Sequence, residues 1–338
     1  MISESPIAMT FFNINRRDAL LTGVSAALVP SAFAQSTPAA GKVVKLIVGF
    51  PAGQATDMVS RVLADRLRAV TGDTYVIDNR PGAGGGIALG QLAKSPANGS
   101  VMMLAHMSAT STTPHTYLKV PYDTLKDFDA VGLVGDLPFV LVVNAALPVH
   151  NLKELIQYAK ANPDKLNNAS SGNGTVSHLA MEEIKRKAGL KITHIPYKGS
   201  VAGLTDVIAG NVSMALETAS AVRPHVESGR LRAIAAGSAK RLGGVFANVP
   251  TLAEQGITDL TAVTWLMLLY PVGTPKSMVQ STYAALMSVM GQTEVEQKMV
   301  SLGLQPRVSS SPDEAAAYLR SEYLTWGEIV KRSGLEKE

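Results

Sequence analysis

Repeatedly along this chain a short apolar run leads through a turn of glycine, proline and small polar residues into a segment with helical apolar spacing. That repetition restricts the fold more than any other feature. In Lys45–Asp57, Leu46, Ile47, Val48 and Phe50 form a nearly continuous apolar run, the pattern of a strand buried on both faces. Met58, Val59, Val62, Leu63 and Leu67 then recur at helical spacing, in a helix whose start is marked by Thr56 and Asp57. Between them Pro51 and Gly53 let the backbone turn and approach a ligand without a side chain in the way. Free N–H groups at such a helix start favour an anion. An ordinary strand-to-helix turn fits the same residues.

The device recurs. Strand Val43–Phe50 and a helix to about Val70 come first, then strand Thr74–Asn79, a glycine-dense turn Arg80–Gly86 and helix Ile87–Lys94. That turn is not a nucleotide motif: counted from Gly82 and Gly84, the third glycine of G-x-G-x-x-G falls on Ile87, and no Walker lysine follows. Strand Val101–Ala105 runs into a hydroxyl-rich stretch, where Ser108 and Thr110 are candidate contacts at the carboxyl end of a strand or members of a bland polar turn. Val131–Val134 and Phe139–Asn144 read as two further strands. Asn151 caps helix Leu152–Ala161, and Asn168–Thr175 leads into a helix through Leu179, Met181 and Ile184. Strands Ile192–Ile195, Val212–Leu216, Leu231–Ala236 and Thr264–Tyr270 follow. Helices are expected at Val201–Ala209, Ala221–Ser228, Ser277–Leu302 (broken near Gly291) and Pro312–Arg332.

A chain of 338 residues with 46% apolar and 17% charged residues suits two globular domains or one large one. Net charge is +4, but the basic residues are scattered and only 5% of residues are aromatic, which argues against nucleic-acid binding. The absence of cysteine excludes disulfides, thiolate catalysis and a lipidated N-terminal cysteine. Arg16-Arg17, the apolar Ala19–Val29 and Ala32-Phe33-Ala34 follow the order of a secretory signal, residues 1–34, with cleavage after Ala34 by a Tat or Sec route. Met9 is an alternative start. After the leader no apolar stretch reaches the ~20 residues of a membrane span, so a periplasmic location is expected.

Phe50-Pro51-Ala52-Gly53, Asn79-Arg80-Pro81-Gly82-Ala83-Gly84-Gly85, Asn167–Thr175, His178-Leu179-Ala180 and His194–Gly199 occur in that order. Lys240-Arg241, Val249–Glu254 and Gly273-Thr274-Pro275 follow. Together, over about residues 42–335, these motifs resemble the Bug family, the extracytoplasmic solute receptors of tripartite tricarboxylate transporters. The resemblance implies an α/β, two-lobed periplasmic-binding-protein fold of type II, each lobe a mainly parallel sheet flanked by helices. Residues 42–143 and 258–338 would form one lobe and 144–257 the other. It implies a monomeric receptor, without cofactor, metal or catalysis, that closes on a small carboxylate and docks transiently onto membrane transporter subunits. The carboxylate would be a dicarboxylate, an amino acid or an aromatic acid, held by backbone amides, hydroxyls and waters. Carried over residue by residue, the contacts are Phe50, Ala52, Gly53 and Asp57 in the first loop, Ser170, Gly172, Gly174 and Thr175 in the second lobe, and Tyr197 and Lys198 in the third loop. His178, one turn inside a helix, reads as structural rather than as a contact.

Three departures from the family pattern matter. Gln54 stands where a second glycine is usual, adding an amide side chain near the ligand. Ser213 replaces an aspartate near the start of its strand, while Glu217 keeps an acidic residue at its end. The segment Pro96–Ser100 replaces a more usual Pro-Asp-Gly-Tyr-Thr. An ionised Glu217 facing the cleft would repel an anion and suit an ammonium. A hydrolase built on Ser170 or Ser171 with His178 is the enzymatic alternative, but no G-x-S-x-G elbow exists and none of the six histidines has metal-ligand spacing. A receptor that presents its solute to a membrane signalling kinase is the other.

Overall fold

The computed structural model describes residues 41–337; the expected leader lies outside them. Ten strands and ten α-helices alternate through most of the described chain. The first half runs β1 (Val43–Val48), α1 (Ala55–Thr71), β2 (Thr74–Asn79), α2 (Gly86–Ala93), β3 (Val101–His106), a single π-helical turn at Ser108–Thr112, α3 (Thr113–Thr116) and β4 (Phe128–Asn144). Then come α4 (Leu152–Ala161), β5 (Asn167–Ser170), α5 (Val176–Ala188), β6 (Thr193–Pro196), α6 (Ser200–Ala209), β7 (Met214–Thr218), α7 (Ala219–Glu227) and β8 (Leu231–Ala236). The chain finishes with β9 (Val263–Pro271), α8 (Lys276–Met290), α9 (Thr293–Ser301), β10 (Gln305–Pro306) and α10 (Pro312–Ser333).

The strands pair in the order β2-β1-β3-β9-β4-β7-β5-β6, with β8 and β10 also on β4. The outer triplets β2-β1-β3 and β7-β5-β6 are each parallel. Parallel strands joined by helical crossovers put their following loops at one end of the sheet, here after Val48, Asn79 and His106 in one triplet and after Ser170, Pro196 and Thr218 in the other.

The long strand β4 links the two triplets. Its first part pairs antiparallel with β9, and from Phe139 onward it pairs with β7 and β8. Val131–Val134 and Phe139–Asn144 are therefore one strand of 17 residues, not two. Gly135 and Pro138 look like breakers locally, but the register on β9 shifts by bulges beside Gly132 and Gly135 and pairing continues. A Cβ on Gly135 would sit 2.6 Å from the Gln305 carbonyl, so the approach of β10 requires glycine there.

Apolar faces settle the layers. Val44, Leu46, Met102 and Leu104 pack with Val59, Leu63 and Leu67 of α1 and with Leu286, Val289 and Met299 beyond. Ile47, Met103 and Ala105, on the opposite face, belong to a larger core with Leu89 and Leu92 of α2 and Leu319, Trp326 and Ile329 of α10. That core continues into the second triplet through Leu141, Met214 and Leu216 against Leu179 and Ile184 of α5. Val140, Ala169 and Ala215 face α6 and α7 instead, against Leu204, Val207 and Val222. Each such buried aliphatic side chain contributes about 1.5–3 kcal/mol before chain entropy is counted.

Candidate ligand-binding site

The loop from β1 to α1 is held from within. Gly53 adopts φ +83°, and its N–H donates to Asp57 Oδ2 at 2.8 Å. Arg61 Nε donates to the same oxygen at 2.9 Å and Arg61 Nη2 to Oδ1 at 3.0 Å. Asn79 Nδ2 bridges Phe50 O (2.9 Å) and Asp57 Oδ1 (3.0 Å), tying the ends of β1 and β2 together. Burial of the Asp57 carboxyl works against its charge, but the Arg61, Gly53 and Asn79 hydrogen bonds together hold it below the usual carboxylate range. Asp57 thus shapes the loop, with its oxygens engaged inside the chain. Ala52 and Gly53 are exposed, and Phe50 and Gln54 are half-buried. The helix begins at Ala55, one residue before Thr56, and Gln54 at its cap position makes no side-chain capping bond.

The Phe50 ring leans on His106 with centroids 4.6 Å apart. His106, at the end of β3, accepts the Ser108 N–H at Nδ1 (3.1 Å), and burial lowers its pKa to about 3, so the ring is neutral. Ser108 and Thr110 lie in the π-helical turn and are buried, with Thr110 Oγ1 donating back to Met107 O at 3.1 Å. Thr113 Oγ1 donates to Ala83 O at 3.2 Å, which joins the start of α3 to the glycine-dense turn after β2.

Across from them, the loop from β5 to α5 is organised by two histidines. Ser170 Oγ lies 2.6 Å from His194 Nε2, and the His194 ring stacks on His178 at 3.7 Å with 6° between the planes. Gly174 N–H donates to His178 Nδ1 at 3.2 Å. Thr175 Oγ1 donates to Gly172 O at 2.7 Å and caps α5 by accepting the His178 N–H. His178 is buried and engaged with its own loop. Burial, aided by the adjacent His178, lowers His194 to about 4. In the loop from β6 to α6, Tyr197 donates its hydroxyl to Asp206 Oδ2 at 2.5 Å, which pushes its pKa up to about 12, and Lys198 is exposed. Glu217, at the end of β7, is only 3% exposed and lies 3.1 Å from Ser177 Oγ, which donates to Leu216 O at 2.7 Å.

The two groups of loops meet. A Cβ on Gly174 would lie 2.5 Å from Thr116 Oγ1, and one on Gly199 would lie 3.2 Å from Gln54 Nε2. Gly174 and Gly199 are thus where the first triplet's loops touch the second's. Sequence patterns marked these loops but not Thr116, Asn79 or His194 as their fasteners, because those partners come from separate elements. Among the described residues no cluster of His, Asp and Glu suited to a metal ion occurs.

Residues 59–335 match the model of the tripartite tricarboxylate transporter family receptor, TctC. The chain belongs to the TctC receptor family. It is 34% identical over 292 residues to the protein BugT of Bordetella pertussis, covering 86% of this chain and 89% of that one. Rpa4515 of R. palustris, solved with adipate, superposes with a TM-score of 0.81 at 32% identity, covering 88% of this chain and 99% of that one. MatC of Rhodopseudomonas palustris, solved with bound malate, superposes with a TM-score of 0.76 at 26% identity, covering 86% and 99%. The TctC fold is the two-lobed fold of periplasmic binding proteins, and it appears here as two parallel strand triplets joined through β4. TctC proteins are periplasmic solute-binding receptors that work with transporter subunits, and the family is not one of enzymes. The Ser170 hydroxyl meets His194 rather than the His178 of the hydrolase alternative, and it is bonded within its own loop. No helix among the described residues is long and apolar enough to cross a membrane.

Proposed function

We propose that this TctC receptor captures a small carboxylate between the loops that follow the two parallel strand triplets, in the periplasm, for a tripartite tricarboxylate-type transporter. The observation that carries this reading is the meeting of those loops at Gln54 with Gly199 and Thr116 with Gly174. Phe50, Ala52, Gly53 and Gln54 would line one wall. Ser170, Gly172, Gly174 and Thr175, with Tyr197 and Lys198, would line the other, above the buried Ser108 and Thr110. The adipate and malate held by the two R. palustris proteins support a carboxylate as ligand. The start of α1 supports it too, because the first-turn N–H groups of a 17-residue helix without a side-chain cap at Gln54 attract an anion by ~0.3–1 kcal/mol, more when partly buried. Residues 42–143 with 258–338, and 144–257, would be the lobes that close as a monomer on the solute and then dock on the membrane subunits. Export would be directed by residues 1–34, with cleavage after Ala34.

A thermal-shift screen against adipate, malate, other mono-, di- and tricarboxylates, amino acids and aromatic acids tests this. A true ligand at ~100 times its dissociation constant should stabilise the fold by ~2.7 kcal/mol. If sugars or cations raise the melting temperature and no carboxylate does, the reading is wrong.

A further inference from the structure

Glu217 is an acidic side chain in a place where a neutral one would do the same structural work. It stands at the end of β7, buried, with groups from three loops around its carboxyl. Ser177 Oγ, from the first turn of α5, donates to Leu216 O at 2.7 Å and lies 3.1 Å from Oε1. The hydroxyls of Ser171, in the β5–α5 loop, and Ser200, the first residue of α6, also bond to it, as does the backbone at Thr218. Each of these neighbours is uncharged. A carboxylate buried without a cation is costly, and an amide would tie the same loops together at less cost.

The rest of the site supplies a polarity. At the start of α5 the Thr175 side chain already caps the helix, and the Glu217 carboxyl already meets the serines at the starts of α5 and α6. At the start of α1 Gln54 makes no capping bond, and the charge of the first-turn Asp57 is paired with Arg61. We propose that Glu217 is a specificity-determining residue that selects, among small carboxylates, those carrying an ammonium group at the end facing the β5–α5 and β6–α6 loops. The inference rests on the carboxylate-receptor reading above. A buried carboxylate acts through a low-dielectric surrounding, so its attraction reaches the cleft whether the ammonium meets Oε1 or is bridged by the half-buried Ser171 or Ser200. Burial raises the carboxyl to about 7 in spite of the serine hydroxyls, and a cation beside it would favour the ionised form.

Calorimetric titration with matched pairs decides it, each pair equal in chain length and differing at one end: succinate with 4-aminobutyrate, glutarate with 5-aminopentanoate, and adipate with 6-aminohexanoate. The wild-type protein should bind the amino member of at least one pair tenfold or more tighter than its diacid. Glu217→Gln should shrink that ratio at least tenfold while still melting cooperatively. Tighter binding of the diacids by the wild-type protein overturns the inference, as does an unchanged ratio in a folded Glu217→Gln. Should that variant fail to fold, the wild-type ratio alone decides. Failure of both members of every pair, with binding of a non-carboxylate in the thermal-shift screen, would instead overturn the carboxylate reading beneath it.

Discussion

Gly53 and Gly174 both adopt left-handed backbone, at φ +83° and +68°, but for different reasons. Nothing lies within 4 Å of a Cβ built on Gly53, whereas one on Gly174 would meet Thr116 Oγ1 at 2.5 Å. Gly53→Ala should therefore cost only the left-handed strain, ~1–2 kcal/mol, in denaturant melts. Gly174→Ala should carry a similar strain and in addition hold the two loop groups apart, weakening ligand binding tenfold or more by calorimetry. Wild-type affinity in a folded Gly174→Ala would remove the Thr116–Gly174 contact from the binding mechanism. Glu217 adds a pH dependence whose sign follows from linkage. Its folded pKa of about 7 lies above its ordinary 4.5, so its contribution is fully present below pH 4.5 and lost as pH rises through 7. Glu217→Gln should gain on the wild-type protein by ~3 kcal/mol between those limits; a flat difference across that range would show that the carboxyl is not held protonated. His194 runs oppositely, its contribution present above pH 6.5 and lost as pH falls through about 4.

At the scale of elements, helix caps separate stability from binding. Asn151 Oδ1 accepts the Glu154 N–H at 2.9 Å to cap α4, and Thr175 caps α5 while fastening Gly172 O. Alanine at either position should lower stability by ~1 kcal/mol, but only Thr175→Ala should also weaken ligand binding, since only that cap shapes a site loop. Loss of affinity from Asn151→Ala would point to a site elsewhere. The elements themselves were largely legible: Thr74–Asn79, Leu152–Ala161 and Leu231–Ala236 fall on their sequence-based boundaries because apolar periodicity and local turn residues mark them. The continuity of β4 was not, because pairing with β9 overrides Gly135 and Pro138 as local breakers. The π-helical turn at Ser108–Thr112 likewise has no signature in hydroxyl spacing. Site residues were legible as loops but not as orientations. The Asp57 oxygens turn to Arg61 and Asn79, and the Tyr197 hydroxyl turns to Asp206, bonds set by tertiary placement that no motif encodes.

On the scale of the whole molecule, two parallel triplets share one long strand, and the loops after each triplet face the other across the proposed cleft. The carboxyl ends of the strands supply glycine-rich backbone and helix starts, while β4 and α10 tie the halves through a continuous apolar core. Binding in such an arrangement should order the loops from both triplets together and leave remote surface unchanged. Backbone hydrogen exchange, with and without a carboxylate that raises the melting temperature, tests this central claim most directly. Exchange should slow jointly at Phe50–Gln54, Ser170–Thr175 and Tyr197–Ser200. Protection confined to one of these loops, or placed instead at the surface depression lined by Asn151, Lys153, Gln157 and Glu254, would contradict it.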